Sequence, residues 1–284
     1  MRRRIRFHMQ KLVSNLFEGV FYSYVRTTRG VELDELRQYQ PGDEFRSIDW
    51  KTTTRTGLLH VRLKLVDRRT CIFFLVDKSG SKKFGSSRFT KRDIQTSLLY
   101  LLVKSATEAG NQVSFITFTD RVERYVPPQS GQKENLKVVE SLNNDKTRGG
   151  FTDLNCAFEF LNTLHTTTSL VFVLSDFLAP FNYESSFKLL VGKHDIVPII
   201  ISDIREETLP KARGFMAVRD LESDELMYLD LSQGLVSNQQ NRDLFHRLNL
   251  EYLTLRTDED EDQWARLLLN FFDNKLRRRS RLKR

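Results

Sequence analysis

Short runs of apolar residues alternate with helix-like patterns along the chain from residue 68 onward. A continuous apolar run, CIFFLV (71–76), predicts a buried strand, VSFITF (113–118) predicts a second strand, and LVFVL (170–174) and IVPIII (196–201) predict two more buried strands. Between and after them, apolar positions recur at helical spacing and predict crossover helices, with a weaker hairpin and one further strand, YLTL (252–255). The pattern therefore predicts an α/β fold with a doubly wound, mainly parallel sheet covered by helices on both faces.

The first 67 residues follow a different pattern. A short amphipathic helix is marked by Ile5, Met9, Leu12 and Leu16, and β-prone pieces (VFYSYV and LLHVRLKLV) flank a turn-rich centre. Pro41-Gly42 in that centre suits a type II turn, in which glycine supplies the positive φ. We expect a β-rich N-terminal module over residues 1–67, a main domain over 68–258, and a C-terminal helix with a basic tail over 259–284.

Acidic residues follow three of the predicted buried strands at the point where each strand ends. Asp77 follows CIFFLV, Asp176 follows LVFVLS, and Asp203 follows IVPIIIS. The carboxyl ends of parallel strands share one edge of a sheet, and ligands in such sheets bind at that edge. The sequence therefore predicts a ligand site there.

The first of these acids begins a D-x-S-x-S motif formed by Asp77, Ser79 and Ser81. Thr152, in front of a predicted helix, and Asp176 complete a set of two carboxylates and three hydroxyls. A small, hard dication takes oxygen ligands, and this set would neutralise its charge without saturating its coordination shell. The alternative is that Ser79 and Ser81 cap a helix while Asp77 is an ordinary strand-end acid.

The set resembles the metal-ion-dependent adhesion site of von Willebrand factor type A domains, and the resemblance covers residues 68–255. It implies a von Willebrand A-like fold and a divalent cation, Mg²⁺ in the first place with Ca²⁺ or Mn²⁺ as alternatives, that accepts a carboxylate from a partner protein. The ligands that it implies are Asp77, Ser79, Ser81, Thr152 and Asp176. Lys78 and Lys82 alternate with the motif, where relatives often have small or apolar residues. These lysines would either lower the affinity for the cation or attract an acidic partner.

A second motif, R-x-Y-x-P-G-D-x-x-R-x-I-D-W-K, begins at Arg37 and is followed by Thr54-Arg55. It resembles the signature of the bacterial domain-of-unknown-function family numbered fifty-eight, and further matches extend the resemblance over nearly the whole chain. The resemblance implies a von Willebrand A-like domain after this segment. It also implies a partner, a MoxR-type AAA+ ATPase, which the protein would link to substrate proteins.

This signature segment has two physical interpretations. Its charged residues form an internal ion-pair and turn network around a buried Trp50, or else Arg46, Trp50 and Arg55 form an exposed partner-binding surface. Exposed arginine and tryptophan side chains are typical of protein-binding hot spots. Pairing of Arg37 with Asp49 would favour the first interpretation, and exposure of Trp50 would favour the second.

The net charge of +8 is located at the two ends of the chain. Residues 1–11 hold five basic residues and residues 275–284 hold seven, with no acid in either segment; the residues between them hold 33 basic and 37 acidic residues. Such runs are usually solvated tails, or they make weak contacts with acidic lipid, nucleic acid or an acidic protein. The acidic body argues against an extended nucleic-acid groove.

Motifs for catalysis are scarce. The chain has no G-x-x-x-x-G-K-[ST], its five histidines have no zinc-like spacing, and neither Cys71 nor Cys156 has a neighbour that suggests a nucleophile. We therefore expect a non-enzymatic, divalent-cation-dependent protein-binding adaptor. The alternatives are a metal-dependent phosphoesterase or nuclease, and a membrane-surface organiser held by the basic tails.

The sequence also predicts where the protein is located. Two buried thiols, no secretory signal and no apolar run of about 18 residues predict a cytoplasmic protein.

Overall fold

The computed structural model describes residues 36–41, 43, 48–62, 71–87, 89–145, 150–207, 215–219, 226–230 and 238–282. The predicted N-terminal helix, the β-prone piece VFYSYV (20–25) and Arg46 lie outside the described residues. Within the described ranges, no helix is long and apolar enough to cross a membrane.

A small unit with two antiparallel strands precedes the main sheet. Its elements are β1 (Leu36–Gln38), α1 (Trp50–Thr56) and β2 (His60–Arg62). The carboxylate of Asp49 caps the N-terminus of α1 by accepting a hydrogen bond from the backbone N of Thr52 at 2.9 Å. Gly57 ends α1 in the left-handed conformation that favours glycine. Ile48 and Val61 pair across this unit and are both buried, so α1 is anchored next to the β1–β2 pair.

Six strands form the main sheet among the residues that the structure describes. In chain order these six strands are β3 (Cys71–Asp77), β4 (Gln112–Phe118), β5 (Val122–Gln129), β6 (Leu170–Ser175), β7 (Asp195–Ser202) and β10 (Leu253–Arg256). A separate hairpin of β8 (Phe215–Arg219) and β9 (Leu226–Asp230) lies between β7 and β10 along the chain. The order across the sheet is β10-β7-β6-β3-β4-β5, and only β5 is antiparallel to its neighbour. The predicted doubly wound, mainly parallel sheet is confirmed.

Helices cover both faces of this sheet, which explains why its inner strands are mainly apolar. The helices that follow α1 are α2 (Lys91–Glu108), α3 (Gln132–Asn144), α4 (Leu154–Thr163), α5 (Glu184–Lys193), α6 (Ile204–Glu207), α7 (Gln239–Arg247) and α8 (Glu261–Leu282). Successive side chains of β3 point to opposite faces. Phe74 stacks between Phe115 and Phe172 on one face, at 5.8 and 5.2 Å, whereas Phe73 belongs to the core on the other face.

The C-terminal helix α8 belongs to the first of these two cores. Trp264, Leu268 and Phe272 are buried in the same hydrophobic cluster as Phe74. The indole of Trp264 also donates a hydrogen bond to the backbone carbonyl of Arg256 at 3.0 Å. The helix predicted as a separate C-terminal segment therefore shares its core with the sheet.

Candidate functional site

The two acids of the predicted site lie side by side because β3 and β6 are neighbours in the sheet. Asp77 ends β3, Asp176 directly follows β6, and both residues are fully buried. One oxygen of Asp77 accepts a hydrogen bond from the backbone N of Ser79 at 2.9 Å, and the other accepts one from the hydroxyl of Ser175 at 2.6 Å. The strand-end carboxylate therefore fixes the turn that follows β3.

The two motif serines join this arrangement. The hydroxyl of Ser81 donates to Asp176 at 2.8 Å and lies 3.1 Å from the hydroxyl of Ser79. Ser79 precedes a short 3₁₀ helix (Gly80–Lys83), but its side chain makes no capping hydrogen bond to that helix. The structure thus brings four of the five predicted oxygen ligands together in one hydrogen-bonded group.

Thr152, the fifth predicted ligand, is buried at the same edge of the sheet. The next residue, Asp153, caps α4 and donates from its backbone N to the carbonyl of Thr119, which follows β4, at 2.9 Å. Since β4 is the neighbour of β3, this bond holds the start of α4 at the carboxyl edge.

A lysine lies between the two carboxylates. The Nζ of Lys82 is 2.9 Å from Asp77, 2.8 Å from Asp176 and 3.5 Å from the hydroxyl of Ser81, and the residue is only 2% exposed. We call Asp77, Ser79, Ser81, Lys82 and Asp176 the edge cluster. Lys82 directly follows the D-x-S-x-S motif, so the segment that carries the motif also brings a positive charge into the edge cluster.

A second buried lysine, which the sequence did not predict, supports the edge cluster from outside. Lys91, the first residue of α2, places its Nζ 2.7 Å from Asp176 and also forms an ion pair with Glu206 in α6. One signal in the sequence could have found it. Lys91 lies three and seven residues before Ile94 and Leu98, so a lysine continues the apolar face of a predicted helix.

The neighbouring charges raise the pKa of Lys82 and lower the pKa of Asp176. Burial alone would lower the pKa of Lys82, but the carboxylates of Asp176 and Asp77 outweigh burial and raise it. Burial alone would raise the pKa of Asp176, but Lys82 and Lys91 outweigh burial and hold that pKa well below its usual range. Lys82 and Asp176 are therefore both ionised at neutral pH.

The backbone after Asp176 is held in an uncommon conformation by α7. Phe177 has a φ of 56°, in the left-handed region that non-glycine residues seldom adopt. The side-chain amide of Asn238 donates to the carbonyl of Asp176 at 2.9 Å, and that of Asn241 donates to the carbonyl of Phe177 at 2.8 Å. Such strain of about 1–3 kcal/mol persists only where the surroundings fix it, so both asparagines position Asp176.

Asp203, the third strand-end acid, has a different role. Its carboxylate accepts hydrogen bonds from the backbone N and the hydroxyl of Ser86, both at 2.7 Å, and from the hydroxyl of Thr257. Burial would raise the pKa of Asp203, but these hydrogen bonds outweigh it and lower the pKa. Asp203 therefore ties the segment after the 3₁₀ helix to the ends of β7 and β10.

A cavity of about 380 Å³ opens beside the edge cluster, between the end of β3, α2 and α3. Lys78 and Arg92 line it and donate to the backbone carbonyls of Leu142 and Asn143 in the last turn of α3. Burial and the neighbouring charge of Arg92 lower the pKa of Lys78 to about 8. Cations at a helix C-terminus stabilise the helix, so a structural role accounts for both side chains.

The predicted partner-binding residues are only partly within the described part of the chain. Trp50 is 62% exposed, Arg55 is exposed, and Arg46 lies outside the described residues. The side chain of Arg37 is not described either, and Asp49 serves as the cap of α1. The exposure of Trp50 favours the surface interpretation of this segment over the buried-anchor interpretation.

The edge cluster as arranged does not fit a resident divalent cation. Each oxygen of Asp176 accepts two hydrogen bonds: one oxygen from Lys82 and the backbone N of Leu178, the other from Ser81 and Lys91. A carboxylate has about four lone-pair sites, so none of them is left for a metal. The described residues also contain no group of three or more His, Cys, Asp or Glu side chains placed to hold a metal ion. The cation site predicted from the sequence stays a prediction.

Comparison with known proteins identifies the family. The family described as "Protein of unknown function DUF58" matches residues 35–250. The chain belongs to the DUF58 family. Its relatives include the uncharacterized protein Rv1480 of Mycobacterium tuberculosis, 26% identical over 259 residues that cover 87% of this chain and 80% of that protein. The uncharacterized protein YeaD of Bacillus subtilis is 32% identical over 75 residues, covering 26% of this chain and 18% of YeaD.

The chain is also similar to solved structures. The conserved hypothetical protein BatB from Bacteroides thetaiotaomicron is similar with a TM-score of 0.51 at 10% identity, over 73% of this chain and 99% of BatB. The SpRpn10 VWA domain has a TM-score of 0.41 at 12% identity, over 71% of this chain and 93% of that domain. The predicted α/β fold with a mainly parallel sheet is confirmed, and BatB shares it.

Proposed function

We propose that this DUF58 protein is a non-enzymatic adaptor that binds a MoxR-type AAA+ ATPase and links it to substrate proteins. The observation that carries the proposal is the exposure of Trp50, 62% of whose surface is accessible within the segment that bears the signature. A large exposed indole on the same short helix as the exposed Arg55 has the composition of a protein-binding hot spot. Leu58 and Leu59, in the turn after α1, are also exposed and extend the apolar surface of the segment.

The chemistry of the described residues supports a role without catalysis. Burial raises the pKa of Cys71 to about 12 and, together with nearby carboxylates, raises that of Cys156 to about 12. A thiol with so high a pKa is a poor nucleophile at neutral pH. Asp77 and Asp176 are paired with lysine, and carboxylates held in buried ion pairs are poorly suited to moving a proton.

The proposed interface has two parts. A stable protein interface buries about 1,200–2,000 Å², which is more than one tryptophan and its neighbours supply. We assign the second part to the carboxyl edge of the sheet, where ligands of such sheets bind. Phe151, next to Thr152 at this edge, is 56% exposed and offers an apolar contact there.

Dependence on a divalent cation, with Mg²⁺ preferred to Ca²⁺ or Mn²⁺, stays a prediction from the resemblance to adhesion sites, and the proposed adaptor role does not include it. A cytoplasmic location is proposed because Cys71 and Cys156 are both free thiols, as in reducing compartments.

Affinity capture from native lysate tests the proposal. We expect the wild-type protein to retain an AAA+ ATPase, identified by mass spectrometry, and Trp50→Ala to retain at least about tenfold less. Leu189→Ala is the matched control, because Leu189 is 68% exposed but lies on α5, away from the signature segment. Equal capture by all three proteins, or capture of no AAA+ ATPase, would contradict the proposal. A parallel capture with a chelator tests the predicted dependence on a divalent cation.

A further inference from the structure

We infer that the ammonium group of Lys82 is the built-in cation of the edge cluster, and that it holds the two buried carboxylates together in the absence of a metal ion. The motif segment thereby carries its own positive charge into the place where the resemblance to adhesion sites implies a dication. The assignment of the cation stands without the proposed adaptor role, whereas its consequence for the partner contact rests on that role.

The geometry around Lys82 is that of a complete ammonium site. Its Nζ lies 2.9 Å from Asp77 and 2.8 Å from Asp176, distances typical of charge-assisted hydrogen bonds between ammonium and carboxylate groups. The hydroxyl of Ser81, at 3.5 Å, is the third acceptor. An ammonium group has three N–H donors, and here each of them has an acceptor.

Asp176 has no lone-pair site left for a second cation, and Asp77 has only about one of its four. Both oxygens of Asp176 already accept two hydrogen bonds each, including those from Lys82 and Lys91. Asp77 accepts hydrogen bonds from Ser79, Ser175 and Lys82. A metal ion would have to displace these donors and would then lie against a buried positive charge, which the low dielectric of the interior makes unfavourable.

The burial of Lys82 also fixes how the edge cluster contributes to partner binding. Lys82 is 2% exposed, so a carboxylate from a partner protein cannot reach its ammonium group. In a metal-dependent site, the open coordination position of the ion contacts the partner directly. Here the cation is internal, and the cluster acts by fixing the loops of the carboxyl edge, whose outer side chains make the contact.

Removing the ammonium group of Lys82 should convert the cluster into a metal site, because Asp77 would lose its lysine partner and Asp176 would keep that of Lys91 alone. The test is a Mn²⁺ titration of the purified full chain, followed by calorimetry and by the electron paramagnetic resonance signal of free Mn²⁺. We expect no saturable binding by the wild-type protein up to about 1 mM Mn²⁺, and a gain in affinity of at least about tenfold in Lys82→Ala. The melting temperature of Lys82→Ala should rise with Mn²⁺ or Mg²⁺, whereas that of the wild type should not change.

Two variants serve as controls. Lys82→Arg keeps the positive charge and should not bind Mn²⁺, and the double variant Lys82→Ala/Asp176→Asn should lose the gain because one carboxylate is gone. Because Lys82→Ala lacks the internal cation, it is prepared both with and without Mn²⁺, and recovery of folded protein only with Mn²⁺ supports the inference. Saturable binding by the wild type with a Kd below about 1 mM would overturn it. So would a folded Lys82→Ala that is as stable as the wild type and does not respond to metal.

Discussion

The Nζ of Lys91 lies 2.7 Å from the carboxylate of Asp176, and both side chains are buried. Removing one partner of a buried ion pair leaves the other charge uncompensated and typically costs about 3–5 kcal/mol. We therefore expect Lys91→Met to lower the free energy of unfolding by about that amount in chemical denaturation. Lys188→Met is the matched control, because Lys188 pairs with Glu184 at 2.8 Å on the exposed surface of α5, where such pairs contribute about 0–1 kcal/mol. Equal losses in the two variants would contradict the importance of the buried pair.

The loop that carries Asp176 should depend on the side-chain amide of Asn238, the residue that precedes α7. Asn238 donates to the carbonyl of Asp176 at 2.9 Å and is itself buried, so Asn238→Ala leaves a buried carbonyl without this donor. We expect a loss of about 1–3 kcal/mol in the free energy of unfolding. The adjacent variant Gln239→Ala is the control, because Gln239 is exposed and pairs with Asp243 on the surface, so its loss should change stability by about 0.5 kcal/mol or less. If the two variants are equally stable, α7 does not hold the loop.

The arrangement of the sheet could be predicted from the sequence because its signals are local. A strand such as β3 is apolar at every position since both of its faces are covered, and the acid that ends it marks the carboxyl edge. Neighbouring strands then bring Asp77 and Asp176 together without any knowledge of the loops. The motif serines follow because they are tied to Asp77 by the chain.

The counter-ions of the edge cluster could not be predicted in the same way. Lys82 has a long side chain with many rotamers, and it points inward only because a 3₁₀ turn aims it between the two acids. Lys91 reaches Asp176 across 85 positions of sequence, and Asn238 reaches it across 62. Contacts at such separations depend on tertiary packing, which the local pattern does not specify.

Substitutions at the start of α1 should distinguish a residue that binds a partner from a residue that stabilises the fold. Trp50 is 62% exposed, so Trp50→Ala should change the free energy of unfolding by about 0.5 kcal/mol or less. The preceding residue, Asp49, caps the helix through a hydrogen bond of 2.9 Å, and Asp49→Ala should cost about 1 kcal/mol. Chemical denaturation of both variants measures this difference. If Trp50→Ala is instead the more destabilising change, the tryptophan is an anchor of the fold and the surface interpretation fails.

A buried histidine should make the stability depend on pH. His194 is 5% exposed, and its Nδ1 accepts a hydrogen bond from the backbone N of Ser169 at 3.2 Å, so this nitrogen must be unprotonated. Burial, with a smaller contribution from Lys193, lowers the pKa of His194 from 6.5 to about 4. Between these two values the unfolded chain binds more protons than the folded chain, so the free energy of unfolding falls as the pH is lowered.

The matched variant for this histidine is His194→Asn, whose side-chain oxygen can accept the same hydrogen bond from Ser169 but does not titrate. Denaturant titrations at pH 7 and pH 5 should show the wild type losing about 1–2 kcal/mol more than the variant over that interval. The sign is decisive. A wild type that becomes more stable on acidification relative to His194→Asn would mean that the imidazolium is stabilised in the fold, and the assignment of a neutral, buried His194 would be wrong.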